Sequence, residues 1–171
     1  MNLNLRRLGR FYKGSATHYL MLLKCIQATE GGVLEMGTGL FSTPFLHWLC
    51  SEKQRRLISY EDNYDFYRLA RIFQNRFHRI RLVEDWDKLD IGGHWSVALI
   101  DNSTKYRASM AIALKDKVDY VVMHDTNDPV HYRYQYVWSH FKYRYDDTRQ
   151  SPWTSVVSNF ENLKWLEEKI L

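Results

Sequence analysis

The sequence predicts an α/β fold: a mostly parallel, doubly wound sheet with helices on both faces, finished by a C-terminal antiparallel strand pair. Three observations carry this expectation. Apolar runs of strand length alternate with segments of helical periodicity between residues 17 and 128. Two of those runs, Trp95-Ser96-Val97-Ala98-Leu99-Ile100 and Tyr120-Val121-Val122-Met123, are almost continuously apolar, as strands covered on both faces are. Beyond Pro129 the texture changes to a stretch rich in Tyr, Arg and His, without the βα alternation. At 171 residues the chain fits one domain over 1–171, read as an arm and helix over 1–30, a βα core over 31–128, and C-terminal strands and tail over 129–171.

In chain order, Thr17 to Ala28 lacks Gly and Pro and carries apolar groups on most turns, which predicts a helix entered from a basic arm. Gly31-Gly32 turns into a short buried strand, Val33-Leu34-Glu35-Met36, that stops at Gly37-Thr38-Gly39. Ser42-Thr43-Pro44 then can cap a helix through Leu49. Arg56 to Tyr60 reads as the second strand, with Asp62 or Asn63 capping a helix over 64 to 76, and Arg79 to Val83 as the third. The fourth strand is Trp95 to Ile100, followed by a helix over 105 to 115, and the fifth ends at His124-Asp125. Tyr132 to Tyr145 alternates at period two and is expected to pair with Trp153 to Ser158.

Composition narrows the class of protein. Hydrophobic residues at 45% and charged residues at 26% are ordinary globular usage, which excludes a disordered or low-complexity chain. No run approaches the roughly 18 apolar residues of a membrane span, and the first residues lack a secretory apolar segment, so a cytoplasmic protein is expected. Cys25 and Cys50 are too few and too far apart for a disulfide scaffold or a CxxC zinc site, and read as buried apolar side chains. A net charge of +4 favours anionic partners weakly.

In a doubly wound sheet, ligands bind outside the carboxyl ends of the strands, near the point where strand order reverses. Those ends carry Glu35 to Gly39, Glu61-Asp62, Glu84-Asp85-Trp86, Asp101-Asn102 and His124-Asp125. Packing does not explain acids at five successive strand ends, since a buried carboxylate needs a partner. The glycine turn allows close backbone approach to a ligand. Glu61, 22 residues beyond Gly39 at the next strand end, can accept from two ribose hydroxyls, so an adenosine-type cofactor is expected. The third position of the dinucleotide glycine pattern is Ser42, which argues against a dinucleotide.

The run Val33-Leu34-Glu35-Met36-Gly37-Thr38-Gly39, followed by Ser42-Thr43, resembles the first motif of class I S-adenosylmethionine-dependent methyltransferases, a Rossmann-like family. It is most similar to the small-molecule O-methyltransferase branch that includes macrocin O-methyltransferase and cephalosporin hydroxylase-like proteins. The likeness covers roughly residues 15 to 128 by order of motifs. It implies methyl transfer from S-adenosylmethionine, with Glu35, Gly37, Thr38 and Gly39 beside the methionine and ribose, Glu61 and Asp62 at the ribose, Asp85 and Trp86 at the adenine, and Asp101 closing the cofactor site. Members of that branch bind a divalent cation through acids at the ends of the fourth and fifth strands, where Asp101, His124 and Asp125 stand here. The chain departs from the family at Phe41, where many members have a small residue.

Two carboxylates and an imidazole at Asp101, Asp125 and His124 suit Mg²⁺ or another divalent cation through the oxygens, and zinc or iron if more nitrogen ligands join. Their alternative is a hydrogen-bonded polar cluster. Without metal, His124 or Lys105 would act as general base, and Asp101 with them forms the catalytic set. The acceptor is expected to be a small hydroxylated molecule. Alternatives are another S-adenosylmethionine-using enzyme such as a lyase or hydrolase, or a non-catalytic binding module. Bases and aromatics interleaved from Tyr132 to Arg144 suit single-stranded nucleic acid as a lesser alternative. A homodimer or higher oligomer is expected to join through Trp138, Phe141 and Tyr143.

Overall fold

The computed structural model describes residues 14–167; the basic arm at 1–13 and the last residues of the tail, 168–171, lie outside the described residues. Seven strands form one sheet in the order β3-β2-β1-β4-β5-β7-β6. They are β1 (Val33–Met36), β2 (Leu57–Glu61), β3 (His78–Leu82), β4 (Trp95–Ile100), β5 (Val118–His124), β6 (Tyr143–Asp147) and β7 (Thr154–Ser158). The first five run parallel, β7 lies antiparallel to β5, and β6 antiparallel to β7. Helices α1 (Tyr19–Gln27), α2 (Ser42–Glu52), α3 (Tyr64–Ala70) and α4 (Arg107–Ala113) supply the cover.

The period of two along each strand divides the core between the two faces. Val33, Leu57, Val97, Leu99 and Val122 pack on one side with Met21, Leu22, Cys25 and Ile26 of α1 and Leu46 and Cys50 of α2. Leu34, Met36, Ile58, Ile100 and Val121 pack on the other with Ala108, Ala111 and Leu114 at α4, and with Trp86 and Tyr134. Both cysteines are free and buried, as their sequence context indicated.

Three elements differ from their sequence expectation, each for a local reason. The helix expected over 64 to 76 starts where predicted, because the Asn63 side chain accepts from the amides of Asp65 and Phe66, but ends at Ala70 and continues as a 3-10 turn, Arg71–Phe73. Asn75 then turns the chain, its side chain accepting from the amides of Phe77 and His78. At the start of α2, Ser42 and Thr43 do not cap the helix; they lie in its buried first turn, and Thr43 instead serves the glycine turn. The strand expected from Tyr132 is corrected more deeply. Residues Tyr134–Tyr136 and Trp138–His140 are 3-10 turns, and β6 starts at Tyr143. Tyr134 and Val137, three apart, are the buried pair, so the period of a helical turn prevails over the aromatic alternation. Trp138 and Phe141 rest partly against the protein's own core, and Arg144 stacks on Trp138 at 3.6 Å.

The centre of the sheet depends on one glycine. Gly37 adopts φ of +89° at the end of β1, and a Cβ there would lie 2.5 Å from the Asp101 carbonyl oxygen and 2.6 Å from the Asn102 backbone. Here β1 and β4 part, one leading to α2 and the other to α4. Gly37→Ala combines backbone strain with overpacking and is expected to destabilise the fold by about 3 kcal/mol or more. Thermal denaturation checks this; a variant melting with the parent would show that the two strand ends have room to separate.

Candidate functional site

A cleft of about 360 Å³ opens at the carboxyl ends of β1, β4 and β5, the switch point of the sheet. One wall is the turn after β1, with Thr38, Gly39, Leu40, Phe41 and Ser42; the other carries Asp101, His124 and Asp125. Gly14, Ser15, His18, Phe66 and Pro152 complete the lining.

The turn is held from behind by two carboxylates. Glu61 accepts at Oε2 from the Thr38 amide at 2.7 Å and the Thr38 hydroxyl at 2.9 Å, and at Oε1 from the Asn63 amide at 2.8 Å. Burial raises its carboxyl above the ordinary value even so. Glu35 lies fully buried beneath the turn. It accepts from Thr43 Oγ1 at 2.9 Å and from the Ser59 hydroxyl, while Thr43 accepts from the Gly39 amide at 3.0 Å. Ser59 in turn meets His78 at 2.8 Å, and His78 meets His47 at 3.3 Å. Burial raises Glu35 to about 7 against the pull of its hydroxyl donors, and burial lowers His78 to about 3.

The opposite wall is built around a residue that the strand ends do not reveal, Arg107 in the first turn of α4. Its guanidinium donates to Asp101 Oδ1 at 2.6 Å, to Asp125 Oδ2 at 2.7 Å and to the Asn102 carbonyl at 2.7 Å, and stands 4.5 Å from the Tyr132 ring centre. Burial works to raise the Asp101 carboxyl, but Arg107, then His124, outweigh it and hold it below the usual carboxylate range. His124 Nδ1 is 3.4 Å from Asp101 Oδ1 and 3.7 Å from Asp125 Oδ2, and its Nε2 is 3.1 Å from Thr17 Oγ1. Burial would lower this imidazole, yet the two carboxylates raise it above its ordinary value. His18, next to Thr17 in the chain and immediately before α1, is buried and lowered to about 4, first by burial and then by His124.

The structure thus brings Thr38, Gly39, Asp101, His124 and Asp125 to one cleft. Gly37 is spent on the approach of β1 to β4, and Glu35 and Glu61 stand behind the lining; Asp62 is exposed, does not line the cleft, and accepts from Ser103 Oγ at 2.9 Å. Asp85 accepts from the Asp87 amide and pairs with Lys88, while Trp86 is buried in the core with its indole N–H unpartnered among the described residues. Neither lines the cleft. Lys105 is exposed, its ammonium donating to Tyr106 Oη at 3.1 Å. Arg107 carries no local sequence signal, because it acts through residues on other elements.

No family model and no curated protein matches this sequence. Solved structures do resemble it. An O-methyltransferase candidate from Klebsiella pneumoniae superposes with a TM-score of 0.68 at 12% identity, over 92% of this chain and 87% of that one. The cofactor-bound protein Rv0187 from MTB gives 0.63 at 18% identity, over 89% and 84%. The O-methyltransferase from Bacillus cereus in complex with S-adenosylhomocysteine gives 0.60 at 15% identity, over 86% and 82%. These likenesses show the fold: the chain shares the Rossmann-like architecture of these solved structures.

The Glu35 environment generates a pH dependence. A buried acid whose folded value stands near 7, against about 4.5 when exposed, favours the protonated form, so its contribution to stability is lost as pH rises between those values. Glu35→Gln keeps a neutral hydrogen-bonding group and is expected to flatten this decline, which is on the order of 2–3 kcal/mol for the parent between pH 5 and 8. Denaturant unfolding across that range checks it; parallel pH profiles for parent and variant would contradict it.

Proposed function

We propose that the protein transfers the methyl group of S-adenosylmethionine to a hydroxyl of a small molecule. One observation carries the reading: a glycine turn anchored by a carboxylate faces an imidazole oriented by a carboxylate, across a single cleft at the sheet's switch point. The cleft volume is within the range of small-ligand sites, and a Cβ on Gly39 would meet just the Ser42 hydroxyl, so backbone is open to a ligand there. When bound, S-adenosylmethionine supplies an electrophilic methyl on a sulfonium centre. Thr38 and Gly39 would border it, and Glu61 would exchange its bonds to Thr38 for ribose hydroxyls, with Asp62 beside it. Asp85 and Trp86 are assigned to the adenine end by resemblance alone.

Transfer to oxygen is an in-line displacement, so the chain has to align the acceptor and draw off its proton. We assign the proton to His124, which lines the cleft: Asp101 fixes its Nδ1, and an acceptor hydroxyl would take the place of Thr17 at Nε2 and give its proton there. Lys105 does not line the cleft. With Mg²⁺ or another divalent cation held by Asp101, His124 and Asp125, that task would pass from His124, then a ligand, to the lowered proton affinity of the hydroxyl. No described helix is long and apolar enough to cross a membrane. The proposal takes the protein as cytoplasmic and as a homodimer or higher oligomer, joined along the edge strand β6, where Tyr143 is exposed.

Calorimetry with S-adenosylmethionine and S-adenosylhomocysteine tests the cofactor. Binding of one molecule per chain is expected, weakened about tenfold to a hundredfold by Glu61→Ala through loss of charge-assisted hydrogen bonds. Absence of binding to folded protein would overturn the reading. With a panel of hydroxylated acceptors, S-adenosylhomocysteine should form when an acceptor is present; cofactor loss without acceptor would favour a lyase or hydrolase.

A further inference from the structure

The charge of the chain is unevenly placed. Residues 64–82 hold Arg68, Arg71, Arg76, Arg79 and Arg81 against one acid, Asp65, so this stretch alone carries +4, the net charge of the whole sequence. In the fold it forms one edge of the molecule: α3, the 3-10 turn Arg71–Phe73, the turn at Asn75, and the edge strand β3, on which α3 packs. All five arginines are exposed. Several surface bases elsewhere rest on acids, Lys88 on Asp85, Lys115 on Asp116, Arg144 on Asp146 and Arg149 on Asp147. Arg71, Arg76, Arg79 and Arg81 have no ion pair among the described residues. A merely solvated face mixes both signs, and this one does not. Three aromatic rings stand beneath its guanidiniums: Tyr64 under Arg68 at 5.8 Å, Tyr67 under Arg71 at 5.8 Å and Phe77 under Arg76 at 4.5 Å.

We propose that the edge formed by α3 and β3 binds single-stranded nucleic acid, at a surface separate from the cleft. A strand's phosphates complement the unpaired arginines, and its bases have rings to stack on, Tyr64 foremost at 60% exposure. All five cations are arginines rather than lysines, and the planar guanidinium both grips phosphate in two-pronged fashion and stacks on flat rings. Guarding an edge strand against pairing explains charge at Arg79 and Arg81, but not at Arg68, Arg71 and Arg76, which lie off the strand. A second copy of the chain is a poor occupant, since pairing along β3 would set these arginines against their own kind. The opposite edge is the weaker place for a strand: there Arg144 is paired with Asp146 and stacked on Trp138, so the basic and aromatic stretch from Tyr132 is engaged within the protein.

The full chain is titrated into a fluorescently labelled oligouridine of about 20 nucleotides, following anisotropy. Affinity is expected to fall roughly fiftyfold between about 50 and 200 mM salt, the dependence of about four phosphate contacts on a single strand. Arg79→Glu combined with Arg81→Glu should weaken binding at the lower salt at least about tenfold and flatten the salt dependence, and Arg76→Glu serves in its place should that pair not fold. Tyr64→Ala keeps every charge and should weaken binding about fivefold or more through lost stacking. Arg144→Glu, on the opposite edge, should leave it unchanged. Absence of binding at the lower salt, binding unaltered by the edge substitutions, an equal loss in Arg144→Glu, or equal affinity for a duplex of the same length would overturn the proposal. Attachment to phosphatidylserine vesicles without binding of the oligonucleotide would overturn it in favour of a membrane surface.

Discussion

The site depends on a buried cation that belongs to the chain itself. Arg107 brings the ends of β4 and β5 to a fixed separation by donating to Asp101 on one and Asp125 on the other. Two carboxylates so placed would repel each other and pay for lost solvation; a guanidinium with rigid, planar donors between them removes both difficulties. Breaking a pair of this kind by removing one partner costs more than the pair contributes, because the remaining charge stays unmatched. His124 inherits its orientation and its raised proton affinity from this arrangement, and Tyr134 closes the same end of the sheet by donating to the His124 carbonyl at 2.9 Å.

Across the cleft the logic is different. The turn after β1 is shaped by backbone freedom at Gly37 and then held by carboxylates that touch it from behind, Glu61 through Thr38 and Glu35 through Thr43. One wall is therefore set by backbone geometry and the other by charge. A cofactor with a cationic centre and ribose hydroxyls suits the first, and an acceptor that must lose a proton suits the second.

The order of strands and helices was legible because burial on both faces leaves continuous apolar runs, which few other contexts produce. The glycine turn and the acids at the strand ends were legible for the same reason: each sits where a predicted strand stops. Tyr132 to Phe141 misled because its aromatics alternate at period two while Tyr134 and Val137 answer to a period of three, and tertiary packing at the end of β5 decided between them. Arg107 could not be read from the chain. An arginine in the first turn of a helix looks like any solvated base; its role arises from neighbours on other elements.

The switch-point cleft is proposed to hold S-adenosylmethionine. A crystal structure of the protein with S-adenosylhomocysteine would decide this. The ligand is expected against Thr38 and Gly39, with its ribose on Glu61 and its sulfur facing the wall of Asp101 and His124. A ligand seated elsewhere on the protein, with this cleft still open, would contradict it.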